Sequence, residues 1–131
     1  MIKNYIITKE KILRNQPKYS FFKNTGYALS GLMDLIKTET SFKIELLIVI
    51  ILIPVIFYVD VPSTQKILMF ISLMGMLIAE AINSAIERVV DLVTLEHHIM
   101  AKRAKDVGSS VVFLSIMVFV VTWIMILIMK I

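Results

Sequence analysis

Three long apolar runs, separated by short polar connections, organise this chain. The first, IELLIVIILIPVIFYV at 44–59, is bounded by Lys43 and Asp60. The second starts near Thr64, is apolar through KILMFISLMGMLIA, and takes on charge at helical spacing through AINSAIERVVDLV up to residue 93. The third, 107–129, is apolar except for Ser109, Ser110, Ser115 and Thr122, small polar residues that can pack or hydrogen-bond between helices. About 20 apolar residues carry a helix across the hydrocarbon layer, so 44–59, 65–93 and 107–129 are expected as three spans. The first is short and should continue a helix that begins before Lys43, with Pro54 as a candidate kink. Asp60 and Pro62 break the chain between the first two spans, and Ser63 or Thr64 is placed to cap the next helix.

Upstream, the segment 25–43 puts Leu29, Leu32, Leu35 and Ile36 on one helical face, with Asp34 and Lys37 away from it. That pattern predicts an amphipathic helix lying in the membrane interface. Residues 1–23 mix Lys3, Lys9, Lys11, Arg14, Lys18 and Lys23 with Ile, Tyr and Phe, as in a partly disordered basic segment at a membrane surface. No apolar stretch followed by a small-residue cleavage site occurs there, so the first span is the expected insertion signal. The predicted fold is a single all-α integral membrane domain.

Composition narrows the picture. Of 131 residues, 58% are apolar, and the mean hydropathy is +0.85. So short a chain cannot enclose that much apolar surface in water, so its side chains must face lipid or other helices, and an oligomer is expected. There is no cysteine, which excludes disulfides, thiolate metal sites and cysteine catalysis. The net charge of +4 comes from residues flanking the apolar runs, not from a contiguous patch, so it signals topology and anionic lipid, not nucleic acid. Lys102, Arg103 and Lys105 in the second connection, against Lys66 alone near the first, put the N-terminus and residues 94–106 in the cytoplasm and the C-terminus outside.

The chemistry concentrates in EAINSAIERVVD, 80–91. At about 100° per residue, Glu80, Glu87 and Asp91 fall within a stripe about 40° wide, flanked by Asn83 and Ser84. An ionised carboxylate in hydrocarbon costs on the order of 3 kcal/mol, so these residues should face protein, water or an ion. The plain alternative is that the stripe marks where the helix leaves the membrane, with Arg88 and Lys102 as ion-pair partners. Glu39 and Glu45 lie at the cytoplasmic end of the first span, and Lys105 and Asp106 at that of the third. So many acids at one level call for a divalent cation, and magnesium, which shares its shell among a few carboxylates, water and phosphate oxygens, suits them. The implied chemistry is phosphoryl transfer at a membrane surface. No phosphate loop is present, and Gly75 alone reads as a helix-packing residue. His97 and His98 lack metal-ligand spacing, and the nine Met and Trp123 read as packing residues.

EAINSAIERVVDLVTLEHH at 80–98 and AKRAKDVGSS at 101–110, preceded by GYALSGL and TETSFKIE, resemble the prokaryotic diacylglycerol kinase family. Its members are small three-helix membrane enzymes unrelated to soluble kinases, and the likeness extends over about residues 20–130. The resemblance implies a homotrimeric helix bundle in the bacterial inner membrane, with active sites shared between subunits near the cytoplasmic interface. It implies ATP- and Mg2+-dependent phosphorylation of a lipid hydroxyl. Glu80 would be the general base and would meet the lipid, Asn83 would orient the reacting groups, and Glu39 and Glu87 would hold magnesium and nucleotide. Lys105, Asp106, Tyr27, Glu96 and His98 would surround the nucleotide, and Ser109 would contact the lipid. A family arginine upstream of GY falls at Ser20 here, with Lys18 or Lys23 as substitutes. SFKIE and RAKDVGSS resemble the diacylglycerol group more than the undecaprenol group, both of whose substrates offer a primary alcohol. A proton- or cation-conducting oligomer would instead distribute its acids through the membrane depth.

Overall fold

Glu39 interrupts the first helical stretch. Its backbone (φ −99°, ψ 112°) leaves the helical region, its N–H still closes the preceding turn on Leu35, and its carbonyl receives the Lys43 N–H at 3.2 Å. One residue therefore ends α1 (Phe21–Thr38) and begins α2 (Thr40–Tyr58). After a short turn come α3 (Ser63–Val93) and α4 (Ile99–Met129). The computed structural model describes residues 18–129. Most of the expected basic segment 1–23, and the last two residues, lie outside the described residues.

The described residues form an all-helical membrane protein, with α2, α3 and α4 long and apolar enough to cross a bilayer. α3 and α4 have 31 residues each, about 46 Å at 1.5 Å per residue. That exceeds the ~30 Å hydrocarbon thickness, so each helix extends beyond the membrane, and α4 begins at Ile99, ahead of the apolar run. Pro54 is contained within α2 and lies on its exposed side. The turn at Asp60 differs from expectation: Pro62 is the cap of α3, and neither Ser63 nor Thr64 makes a side-chain capping bond, because Ser63 is already helical. Instead Lys66 reaches back to cap α2, its Nζ donating to the Phe57 carbonyl at 3.0 Å.

The core is one stripe on each of α2, α3 and α4. Phe42, Glu45, Val49 and Ile56 of α2 are buried, as are Met69, Leu73, Met76, Leu77, Glu80 and Asn83 of α3. α4 adds Trp123 and Ile126. The buried face of α3 thus runs at i, i+3, i+4 spacing from apolar residues straight into Glu80, Asn83 and Ser84. Far from these polar residues, the Trp123 indole N–H donates to the Met69 carbonyl at 3.3 Å, and its ring meets Phe119. Trp123→Phe keeps the ring and loses the bond, and should cost about 0.6–2 kcal/mol, measured by unfolding in detergent mixtures.

Within this chain the glycine that packs helices together is not Gly75, around which a Cβ would find open space. It is Gly108 on α4, where a Cβ would overlap the Asn83 side-chain oxygen and come within 3.6 Å of Ile86. The absence of a side chain there lets α4 close on α3 beside the polar end of the core.

Candidate active site

Four acids gather where the core stripe turns polar. Glu45 and Glu80, 7% and 6% exposed, face each other from α2 and α3 closely enough to repel, and Glu80 also feels Glu87 and Glu39. Glu45, Glu80 and Glu87 take part in no ion pair among the described residues. The Asn83 amide N–H donates to Glu87 Oε1 at 3.1 Å, a contact one helical turn apart. Its carbonyl oxygen and Glu45 Oε2 are buried without a hydrogen-bond partner. Buried polar atoms of that kind are uncommon and require an explanation; at the end of a hydrophobic core they leave acceptor capacity that a polar partner would satisfy.

The cations are distributed around this centre. Arg88 bonds Glu39 Oε1 through Nη2 at 2.7 Å and Nε at 3.2 Å, Thr38 Oγ1 at 2.8 Å, and Asp34 through Nη1. Lys105 Nζ pairs with Asp91 at 2.6 Å, and Lys102 with Asp106 at 2.5 Å. The plain alternative expectation, Arg88 and Lys102 as partners of the stripe, is not met: Arg88 pairs with Asp34 of α1 and with Glu39 at the α1–α2 break, Lys102 pairs with Asp106 of α4, and the one stripe acid in an ion pair among the described residues, Asp91, is held by Lys105.

Beside the acidic face, the end of α3, the 94–98 connection and the start of α4 enclose a cleft of about 260 Å³. Glu96, His98, Lys105 and Asp106 all line it, together with Asp91 and Lys102. His98 is also engaged locally: its Nδ1 accepts the Met100 N–H at 3.2 Å and so caps α4. The expected nucleotide residues thus divide between the cleft and the acidic face. Tyr27 is 64% exposed on α1, and Ser109 is exposed on α4; neither lines the cleft of its own chain.

Asp34, the Arg88 fork and Gly108 were not among the expected site residues. Arg88 had a legible signal: it is the only Lys or Arg between Ile67 and His97, on a helix with three acids. Its reach to Asp34 and Glu39, 54 and 49 residues away, had none.

A family model described as prokaryotic diacylglycerol kinase matches residues 26–127. The chain belongs to the prokaryotic diacylglycerol kinase family. A relative named diacylglycerol kinase from Pseudomonas aeruginosa is 42% identical over 99 residues, covering 76% of this chain and 80% of the relative. Another of that name, from Haemophilus influenzae, is 38% identical over 100 residues, covering 76% and 85%. A Bacillus subtilis relative named undecaprenol kinase is 33% identical over 92 residues, covering 70% and 75%. The matched span holds the acidic face, the cleft and all three apolar helices, so the polar centre built here belongs to a family of lipid kinases.

Proposed function

We propose that this protein transfers the γ-phosphoryl group of ATP to the primary hydroxyl of diacylglycerol, giving phosphatidic acid and ADP at the cytoplasmic surface of the bacterial inner membrane. The observation that carries the reading is the continuity of the α3 core stripe into Glu80, Asn83 and Glu87, which sets acids that form no ion pair among the described residues at the edge of an apolar layer beside a polar cleft. A lipid hydroxyl approaches from the apolar side, a nucleotide from the polar side.

In this mechanism Glu80 accepts the hydroxyl proton as the lipid oxygen bonds to the γ-phosphorus and the bond to the β-phosphate oxygen breaks. Asn83, already bonded to Glu87, orients the reacting groups. Lys105 and Asp106 face the phosphates, with Glu96 and His98 around the nucleotide.

The donor set fits magnesium. Glu39 and Glu87 act on Glu80 as like charges, and Asn83 offers an unused carbonyl oxygen beside Glu87. Among the described residues no group of three His, Cys, Asp or Glu is arranged to hold an ion alone. Magnesium completes its shell with water and phosphate oxygens. Glu39 and Glu87 would hold it, and it would offset charge on the transferring phosphate.

A homotrimer with shared sites accounts for two features. α1 buries no residue, and only 11% of the apolar window of α4 is buried within one chain. Tyr27 and Ser109 are assigned to nucleotide and lipid contacts of the shared site, with the N-terminus cytoplasmic and the C-terminus outside. Diacylglycerol is favoured over undecaprenol because the relatives at 42% and 38% identity are named for it.

The test offers both lipids to purified protein in lipid-like micelles with labelled ATP, with and without magnesium. Labelled phosphatidic acid, formed only with magnesium, is expected. Labelled undecaprenyl phosphate alone would change the substrate, and no labelled lipid from folded protein would sink the kinase reading.

A further inference from the structure

The Glu39 carboxylate is fastened by one oxygen only. Arg88 Nε and Nη2 both converge on Oε1, at 3.2 and 2.7 Å, while Oε2 has no hydrogen-bond partner among the described residues. The far side of the same guanidinium is held by Asp34, and Nη2 also meets Thr38 Oγ1 at 2.8 Å. Contacts from three residues on different sides fix the plane of a rigid, five-donor group, which an ammonium cannot reproduce. Glu39 needs such a tether. It stands at the non-helical break between α1 and α2, where the other hydrogen bond to its side chain among the described residues is a long one from the Thr38 hydroxyl to the same Oε1, at 3.5 Å. Arg88 binds it to the helix that carries Glu80 and Glu87.

We propose that Arg88 is a positioning residue for phosphoryl transfer: it holds Glu39 through Oε1 so that Oε2 is presented to the divalent cation accompanying the nucleotide. This rests on the reading of Glu39 as a cation ligand. Ligand carboxylates are commonly oriented by such outer partners, whose loss costs about 10- to 100-fold in metal affinity. Fold stability is not the purpose. The pairing side chains of Arg88, Asp34 and Glu39 are 44%, 49% and 28% exposed, and exposed pairs contribute little to stability.

The test measures Mn2+ affinity by electron paramagnetic resonance of the free ion, with full-length protein in lipid-like micelles and a non-hydrolysable ATP analogue. Arg88→Lys keeps the charge and removes the fork; Mn2+ binding should weaken about tenfold. Asp34→Asn, which leaves Arg88 and Glu39 in place, should weaken it in the same direction by less, with helix content and melting temperature unchanged in both. Glu39→Gln is the reference and should weaken it at least as much as Arg88→Lys. Weakening by Glu39→Gln alone would overturn the positioning role and leave Glu39 a ligand. No change in Glu39→Gln would remove the ligand reading and this inference with it. Tighter binding in Arg88→Lys would mean that Arg88 competes with the cation, which also overturns the proposal. If Arg88→Lys loses its helical content, Asp34→Asn decides by itself.

Discussion

Glu80→Gln is expected to lower kcat for lipid phosphorylation by about 10²- to 10⁴-fold, the range of a lost general base, while the protein stays folded and its KM for ATP changes little. The substitution preserves shape and removes the one function a carboxylate has here, that of taking a proton. Stability should hold for a specific reason. Glu80 is 6% exposed, has no ion-pair partner among the described residues, and is surrounded by Glu45, Glu87 and Glu39. Neutralising it removes like-charge repulsion without orphaning a cation, unlike the usual cost of breaking a buried pair. Initial rates with labelled ATP, beside unfolding curves in the same micelles, separate the two effects. A folded Glu80→Gln protein that works at the wild-type rate would take Glu80 out of the chemistry.

The unequal visibility of this site in the sequence follows from how membrane helices carry information. The three spans were legible because hydropathy and length are local properties, and the acidic face of α3 was legible because Glu80, Glu87 and Asp91 interrupt an apolar pattern at helical spacing. α4 shows the limit. A helix that is apolar all round has no periodicity to tell its packed face from its lipid face, and its burial of Gly108, Trp123 and Ile126 emerges only in three dimensions. The 25–43 segment read as one amphipathic unit because Glu39 carries no helix-breaking signature of its own, and the break there is paired with a contact to Arg88, 49 residues on. Charge pairing across such distances cannot be read along the chain. Glu45 is legible as an acid near the first span, yet its burial opposite Glu80 depends on α2 and α3 placing their core stripes in register.

These features locate the polar centre against the end of the buried core stripe. α3 brings the acids, α4 closes on them at Gly108, and Arg88 fastens the α1–α2 junction to the same helix. Small shifts between α3 and α4 should therefore be felt in activity before they are felt in stability.

Gly108→Ala tests that ordering directly. Glycine inside a helix costs about 1 kcal/mol relative to alanine, so on propensity alone the substitution should leave the fold as stable as before or slightly more so. The added Cβ, however, would overlap Asn83 Oδ1, the far end of a side chain that can yield. Yielding moves the amide away from Glu87, to which it donates at 3.1 Å. A displacement of about 1 Å at a positioning group can cost about 10²-fold in rate, and a kcat reduction of that size is expected with KM for ATP nearly unchanged. Melting temperature should stay level or rise, which distinguishes misplacement of Asn83 from general damage to helix packing. Because the clash is with the oxygen of Asn83 specifically, the double variant Gly108→Ala with Asn83→Ala should be no slower than Asn83→Ala alone. Full activity in Gly108→Ala would show that the close approach of α4 does not hold Asn83 for the reaction, and a multiplicative loss in the double variant would place the effect of Gly108 elsewhere.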